Sequence, residues 1–151
     1  MKRTILLVLG IITTSLSSAN PSLREVKSTS CKAIPIELGV GITTQIIFEQ
    51  EPKVTLFADQ THFKVVTNPS ASRSIAIIPV ISSNEIEAMK NGRGSLSPEA
   101  LTAALNKNIK TNLFVFFDNN NQLMFELRFA DKKNADYLVK VKQEFNDGCV
   151  L

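Results

Sequence analysis

Hydrophobic and polar positions alternate along much of this chain, most clearly over residues 123–129. One set of alternate positions there is Leu123, Phe125, Leu127 and Phe129, and the other is Met124, Glu126 and Arg128. Such a period of two is typical of a strand with one buried and one solvated face. Residues 113–117 are apolar at every position, which predicts a strand covered on both faces. Residues 118–121 supply Asx side chains that tolerate left-handed turns, so the segment predicts a β-hairpin.

Six more segments carry strand patterns, separated by Gly, Pro or Asx residues: 33–38, 42–48, 53–58, 61–67, 73–79 and 136–142. Together with the hairpin they predict a mainly β fold. We expect a single β-sandwich or open barrel of seven to eight short antiparallel strands, spanning residues 33–151. Residues 20–32 are polar and without periodicity, which predicts a loose N-terminal arm.

The strand pattern is interrupted by residues 81–110, which predict a two-helix insertion. Ser82 and Glu85 have the spacing of a capping box, and Pro98 stands at the first position of a second helix. We expect the insertion to pack against the β-domain and to adapt it to a partner. The stripe expected to face the domain is Leu101, Ala104 and Leu105, whereas Glu85, Glu87 and Lys90 should be solvated.

The first 19 residues have the pattern of an export signal. Lys2 and Arg3 precede an apolar run at 5–12, and Ser17-Ser18-Ala19 is a small-residue cleavage pattern. The alternative is an uncleaved membrane anchor, but the run is short for a bilayer span of about 20 residues. We therefore expect cleavage after Ala19, a periplasmic or secreted protein, and no transmembrane span after cleavage.

Two cysteines, Cys31 and Cys149, flank almost the whole predicted domain. In an oxidising compartment the expected outcome is a disulfide between them. Closing so long a loop contributes roughly 4–5 kcal/mol in the chain-entropy model. Two free thiols, or pairing with another chain, are the alternatives that the sequence leaves open.

Charge and composition exclude some function classes. Removal of Lys2 and Arg3 lowers the formal net charge from +3 to +1, and the basic residues are scattered, so nucleic-acid binding is not indicated. His62 is the only histidine, which with two distant cysteines does not supply a zinc site. Glu49 and Glu51 are typical of solvated turn charges, and residues 91–94 lack the Lys-Ser/Thr of a phosphate-binding loop. We predict no catalytic, cofactor-binding or metal-binding residue, and no enzymatic activity.

The order of several segments resembles a known family. These segments are residues 42–54, the Pro-ending strand 74–79, the Thr111-Asn112-Leu113 sequence, the paired strand 125–129, and Asp136-Tyr137. In their order and spacing the chain resembles the N-terminal β-domain of VirB/TraK-type outer-membrane core subunits of type IV secretion and conjugation systems. The resemblance covers about residues 33–142. It implies structural roles for Thr111, Asn112, Leu113, Asp136 and Tyr137.

The resemblance also implies a function. A member of this family is a non-enzymatic periplasmic subunit or accessory of an envelope complex, with other envelope-complex proteins as partners, including copies of itself in a ring. The insertion at 81–110 and the cysteine pair depart from the family pattern. Family members usually have a second β-domain that contacts an outer-membrane lipoprotein and a channel subunit, so those contacts are not carried over. The alternatives are an exported peptide- or ligand-binding β-domain with a chaperone-like role and, third, a secreted hydrolase.

Overall fold

The computed structural model describes residues 23–28, 32–84, 87, 105 and 109–145. This part of the chain contains nine β-strands and two short 3-10 helices, at Pro69–Ala71 and Asp118–Asn120. The strands are β1 (Leu23–Lys27), β2 (Ile34–Gly39), β3 (Thr44–Phe48), β4 (Val54–Phe57), β5 (Phe63–Thr67), β6 (Ser74–Pro79), β7 (Lys110–Phe116), β8 (Gln122–Ala130) and β9 (Leu138–Lys142).

The strands form two sheets with an apolar core between them. A five-stranded sheet has the order β1-β9-β3-β6-β5, and a four-stranded sheet has the order β2-β8-β7-β4. Core side chains come from the facing sides of both sheets, and aromatic rings bridge them. Phe63 lies 5.2 Å from Phe129, and Phe48 lies 5.3 Å from Phe117, between ring centroids. The mainly β prediction is confirmed, as two stacked sheets and not a closed barrel.

The expectation of only antiparallel strands is wrong. Three neighbouring pairs run parallel: β1 with β9, β9 with β3, and β2 with β8. The physical reason is the path of the chain, which passes from one sheet to the other after most strands. Only β5–β6 and β7–β8 are neighbours both in sequence and in a sheet. A sheet assembled from strands distant in sequence does not have the alternating direction that consecutive hairpins impose.

The prediction of a loose arm over residues 20–32 is wrong for Leu23–Lys27, because these five residues form β1. Its sequence carries only a weak strand signal, because Val26 is its one apolar side chain packed against the core. The strand is placed instead by parallel backbone pairing with β9 and by an ion pair from Arg24. It also raises the strand count to nine, above the seven to eight expected.

The hairpin prediction is confirmed, but one part of it is wrong. Asn119 and Asn120 have positive φ angles of 60° and 59°, as the Asx-rich turn required. The alternation of β8 is confirmed by the complete burial of Phe125 beside the half-exposed Glu126. However, β7 is not covered on both faces. Phe114 and Phe116 point away from the core and are only half-buried.

The predicted two-helix insertion is not confirmed. Helical backbone is described at Ser83, Asn84, Glu87 and Leu105, and the described residues contain no helix of seven or more residues. Leu105 is 2% exposed and belongs to the core cluster, which agrees with its place in the predicted stripe. Glu87 is exposed, as predicted. The rest of that stripe and of the solvated set lies outside the described residues.

The predicted signal sequence and both cysteines, Cys31 and Cys149, also lie outside the described residues. Their pairing and the cleavage after Ala19 therefore stay predictions. Within the part of the chain that the structure describes, no helix has the length and apolar character needed to cross a bilayer.

Candidate interaction surface

The outer face of the four-stranded sheet is divided into an apolar half and a charged half. Strand register places the same-facing side chains in rows across the sheet. In the rows nearest the start of β4, Val54 lies opposite Phe116, and Leu56 lies opposite Phe114. Phe114 in turn lies opposite Met124. In the remaining rows of the same face the side chains are polar or charged. They are Lys110 and Asn112 on β7, Glu126 and Arg128 on β8, and Glu37 on β2.

We call the apolar half the apolar patch, defined as Val54, Leu56, Phe114, Phe116 and Met124. Leu56 is 55% exposed, more than any other large hydrophobic side chain in the described ranges, and Val54 is 49% exposed. The three β7 and β8 members are half-buried. Contiguous exposed apolar side chains rimmed by polar groups are characteristic of interaction sites, whereas single exposed hydrophobic residues are ordinary.

The patch ends at β4, an edge strand with unusual composition. Each sheet has two edges, and three of the four edge strands carry features that discourage pairing with another chain. β1 has Arg24, Glu25 and Lys27, β2 has Pro35, and β5 has Lys64. Charges and proline are the usual protection of sheet edges. Among the described edge strands, β4 alone contains neither.

A shallow groove runs beside the patch on the same face. It has a volume of about 580 Å³. Its walls come from β4, β7 and β8, and include Leu56 and Phe114 at the apolar end and Lys110 and Glu126 at the polar end. The groove therefore places an apolar strand edge next to a pair of opposite charges.

In the charged half, carboxylates and guanidinium groups neutralise one another. Arg128 donates a hydrogen bond to Glu126, which lowers the pKa of the Glu126 carboxyl against a smaller opposing effect of burial. Arg128 Nη1 also lies 3.9 Å from Glu37 Oε1. Burial raises the pKa of Glu37, and the nearby Arg128 only partly offsets this effect. These exposed pairs contribute little stability individually and make this half of the face polar but nearly neutral.

Asp136 is a structural junction at the border of this face. Its Oδ2 accepts from the Glu37 backbone N–H at 2.9 Å and pairs with Arg24 Nη2 at 2.9 Å. Its backbone carbonyl accepts from Thr44 Oγ1 at 2.5 Å. Burial raises the pKa of Asp136, opposed by the Glu37 N–H and by Arg24. One residue therefore links β1, β2 and β3, which belong to both sheets.

The residues given structural roles by the resemblance occupy mixed positions. Thr111 and Leu113 are buried on the inner side of β7, whereas Asn112 is exposed on the outer face. Tyr137, directly before β9, is 39% exposed. The first motif thus lies on β7 and the second lies just before β9 of the other sheet, and the structure does not bring their five side chains together into one site.

His62 belongs to a local turn between β4 and β5. Its ring Nδ1 lies 2.7 Å from Asp59 Oδ2, and Asp59 Oδ1 accepts the backbone N–H groups of Thr61 and His62 at 3.1 Å. Burial disfavours the charged Asp59, but these hydrogen bonds outweigh it and lower the pKa of the carboxyl. The carboxylate thus closes a turn. In the described ranges no group of three or more His, Cys, Asp or Glu side chains could hold a metal ion.

The apolar patch itself was missed by the sequence interpretation. The available signal was the unbroken apolar run at residues 113–117, in which Phe114 and Phe116 alternate with the buried Leu113 and Val115 and so lie on the face opposite the core. Together with the uncharged β4, that run indicates an apolar outer surface rather than a second buried face. Comparison with known proteins does not place the chain in a family, since no protein-family model and no curated protein match it.

Proposed function

We propose that this protein is a non-enzymatic periplasmic subunit or accessory of a cell-envelope secretion or conjugation complex, and that it acts through protein–protein contacts. The observation that carries the proposal is the apolar patch ending at the unprotected edge of β4. An exposed apolar sheet face beside an open edge is costly for a protein that stays alone, since it invites aggregation. The feature is explained if a partner covers it in the assembled complex.

The order of strand motifs, which resembles that of type IV core subunits, supports this choice of complex. The predicted export signal supports a location in the compartment where such machines assemble. The charged half supports a specific orientation of the partner, because Lys110, Glu126 and Arg128 offer fixed charges of both signs beside the patch. Complementary charges mainly determine specificity and association rate, whereas the apolar centre supplies most of the affinity.

A second candidate function is favoured by the groove. Its volume of about 580 Å³ lies within the range of small-ligand and peptide sites, about 300–1,000 Å³. An extended peptide could add to β4 as a further strand and place alternate side chains in the groove. This function would make the protein an exported peptide-binding domain with a chaperone-like role, active as a monomer.

Affinity capture from crosslinked cells tests the proposal. Leu56→Lys places a charge in the patch and should leave folding intact, because the side chain is 55% exposed. Val66→Lys is the matched control, since Val66 is an exposed β-branched residue on β5, the edge of the other sheet.

The wild-type protein and Val66→Lys should retain the same envelope-complex proteins, and Leu56→Lys should lose them. Identical captured proteins for both variants would contradict the proposal. Capture of unrelated peptides by the monomer, lost in Leu56→Lys, would favour the second candidate.

A further inference from the structure

We propose that β4 pairs with β4 of a second copy of this chain, antiparallel and about a two-fold axis at Leu56. This inference rests on the proposed function in using the same surface, and it names the occupant of the edge. Among the described residues β4 has a single neighbour, β7. A strand added on its open side would satisfy the backbone groups that face outward.

The alternation of side chains limits the ways in which two β4 strands can pair. Residues directly opposite in an antiparallel pair share a face of the sheet, so the two-fold axis must lie between one residue and the same residue of the second copy. We name each axis by that residue. An axis at Val54 places Leu56 opposite Pro52, and an axis at Thr55 places Lys53 opposite Phe57 of the second copy, whereas an axis at Phe57 runs past the end of β4. An axis at Leu56 instead directs Lys53 of each copy toward the turn that follows β4 of the other copy. This turn comes after a bend at Ala58 and holds Asp59, and symmetry makes the contact twice.

Both charged groups can take part in that contact. Lys53 Nζ is 3.8 Å from Asp118 Oδ2, and both side chains are widely exposed, so the existing ion pair is loose. The Asp59 carboxylate accepts three hydrogen bonds from its own turn, and a carboxylate has about four acceptor positions. One acceptor position therefore remains for a lysine from the second copy.

The same axis makes the apolar patch continuous across the two copies. Leu56 meets Leu56 of the second copy at the axis, and each Val54 lies beside the end of β4 of the other copy. The two four-stranded sheets would join into one sheet of eight strands, in which the two apolar patches form one continuous area. The interface is isologous, so each copy covers the open β4 edge of the other. No open β4 edge remains for a third copy, and the assembly is a dimer.

Cysteine crosslinking of the full chain tests the register. In the proposed pairing the two Leu56 Cβ atoms lie about 4.5–5.5 Å apart, close enough for a disulfide after slight adjustment. The two Val54 residues are offset by four positions, about 13 Å along the strands. Leu56→Cys should give a disulfide-linked dimer on a non-reducing gel after mild oxidation. Val54→Cys should stay at the level of the parent protein, which carries the same two native cysteines.

Sedimentation equilibrium supplies a second measurement. Leu56→Lys brings two like charges together at the axis and should weaken dimerisation by about 100-fold or more. Val66→Lys should leave the dimer unchanged. A monomeric wild-type protein, or equal crosslinking of the two cysteine variants, would overturn the inference.

The inference and the proposed function can fail separately. If the wild-type protein is a monomer and Leu56→Lys still loses its envelope partners, the edge binds another protein and only the self-pairing is wrong. If Leu56→Cys crosslinks but Leu56→Lys retains every captured envelope protein, the dimer stands and the proposed function is wrong for this surface.

Discussion

Truncation of Phe125 to alanine tests the assignment of core and outer face on β8. The side chain is completely buried and lies between Ile34 on β2 and Leu113 on β7 in the strand register. Its ring centroid is 6.1 Å from that of Phe48 on the opposite sheet, at an interplanar angle of 67°. The substitution therefore removes an edge-to-face aromatic contact and opens a cavity between the two sheets.

The size of the effect follows from the buried area. A fully buried aromatic side chain removes about 150–250 Å² from water, which at about 25 cal/mol per Å² corresponds to roughly 4–6 kcal/mol. The alanine methyl group retains part of this area, so the expected loss in the free energy of unfolding is roughly 3–5 kcal/mol. For a domain of this size that loss lowers the melting temperature by roughly 10–20 °C.

Urea denaturation measures this loss, with Glu126→Ala as the matched control. Glu126 is the next residue on the same strand but faces solvent and bonds Arg128, so its truncation should cost within about 0.5 kcal/mol. The Phe125→Ala midpoint should fall while its m-value stays near that of the wild type. Equal losses for the two variants would refute the assignment of faces.

Three further substitutions probe the β2 edge and the hairpin turn. Gly39→Ala should lower the free energy of unfolding by roughly 1–3 kcal/mol in urea denaturation, because the added methyl group would lie 2.7 Å from Ile42 Cδ1 and 2.9 Å from Ala135 Cβ. An unchanged midpoint would contradict this packing. Glu37→Gln should gain stability relative to the wild type as the pH rises above 4.5, the ordinary pKa of the carboxyl. Burial raises the folded-state pKa, so the folded wild type binds more protons and loses stability with rising pH, and a pH-independent difference would exclude that linkage. Asn119→Ala should lower the melting temperature, at a cost of about 1–2 kcal/mol for alanine at φ 60°, while Asn119→Gly should not; equal melting temperatures would contradict the left-handed turn.

Local patterns predicted β2 to β9 because the residues of each of these strands carry its pattern. The alternation of β8 and the Asx turn before it needed no information from elsewhere in the chain, and both are confirmed. The sheet order was not predictable in this way. Whether β9 lies beside β1 and β3 depends on contacts between segments far apart in sequence, which a local period of two does not encode.

The errors concern segments whose structure depends on their neighbours. β1 carries one inward apolar residue, Val26, so its strand character comes from pairing with β9 and from the Arg24–Asp136 ion pair. For residues 113–117, which include the second half of β7, an apolar residue at every position fits either burial on both faces or one buried face and one exposed apolar face. The exposure of Phe114 and Phe116, visible only in the assembled sheet, decides between them and defines the candidate site.

Site-specific photocrosslinking in cells tests most directly whether the β4 side of the outer face binds protein. A photoreactive amino acid would replace Leu56 in one strain and Val66 in another, both exposed positions on edge strands. We predict discrete products from position 56, corresponding to an envelope-complex protein or to a second copy of this chain, and only background from position 66. A folded protein that gives no product from position 56 above the background from position 66 would contradict the account.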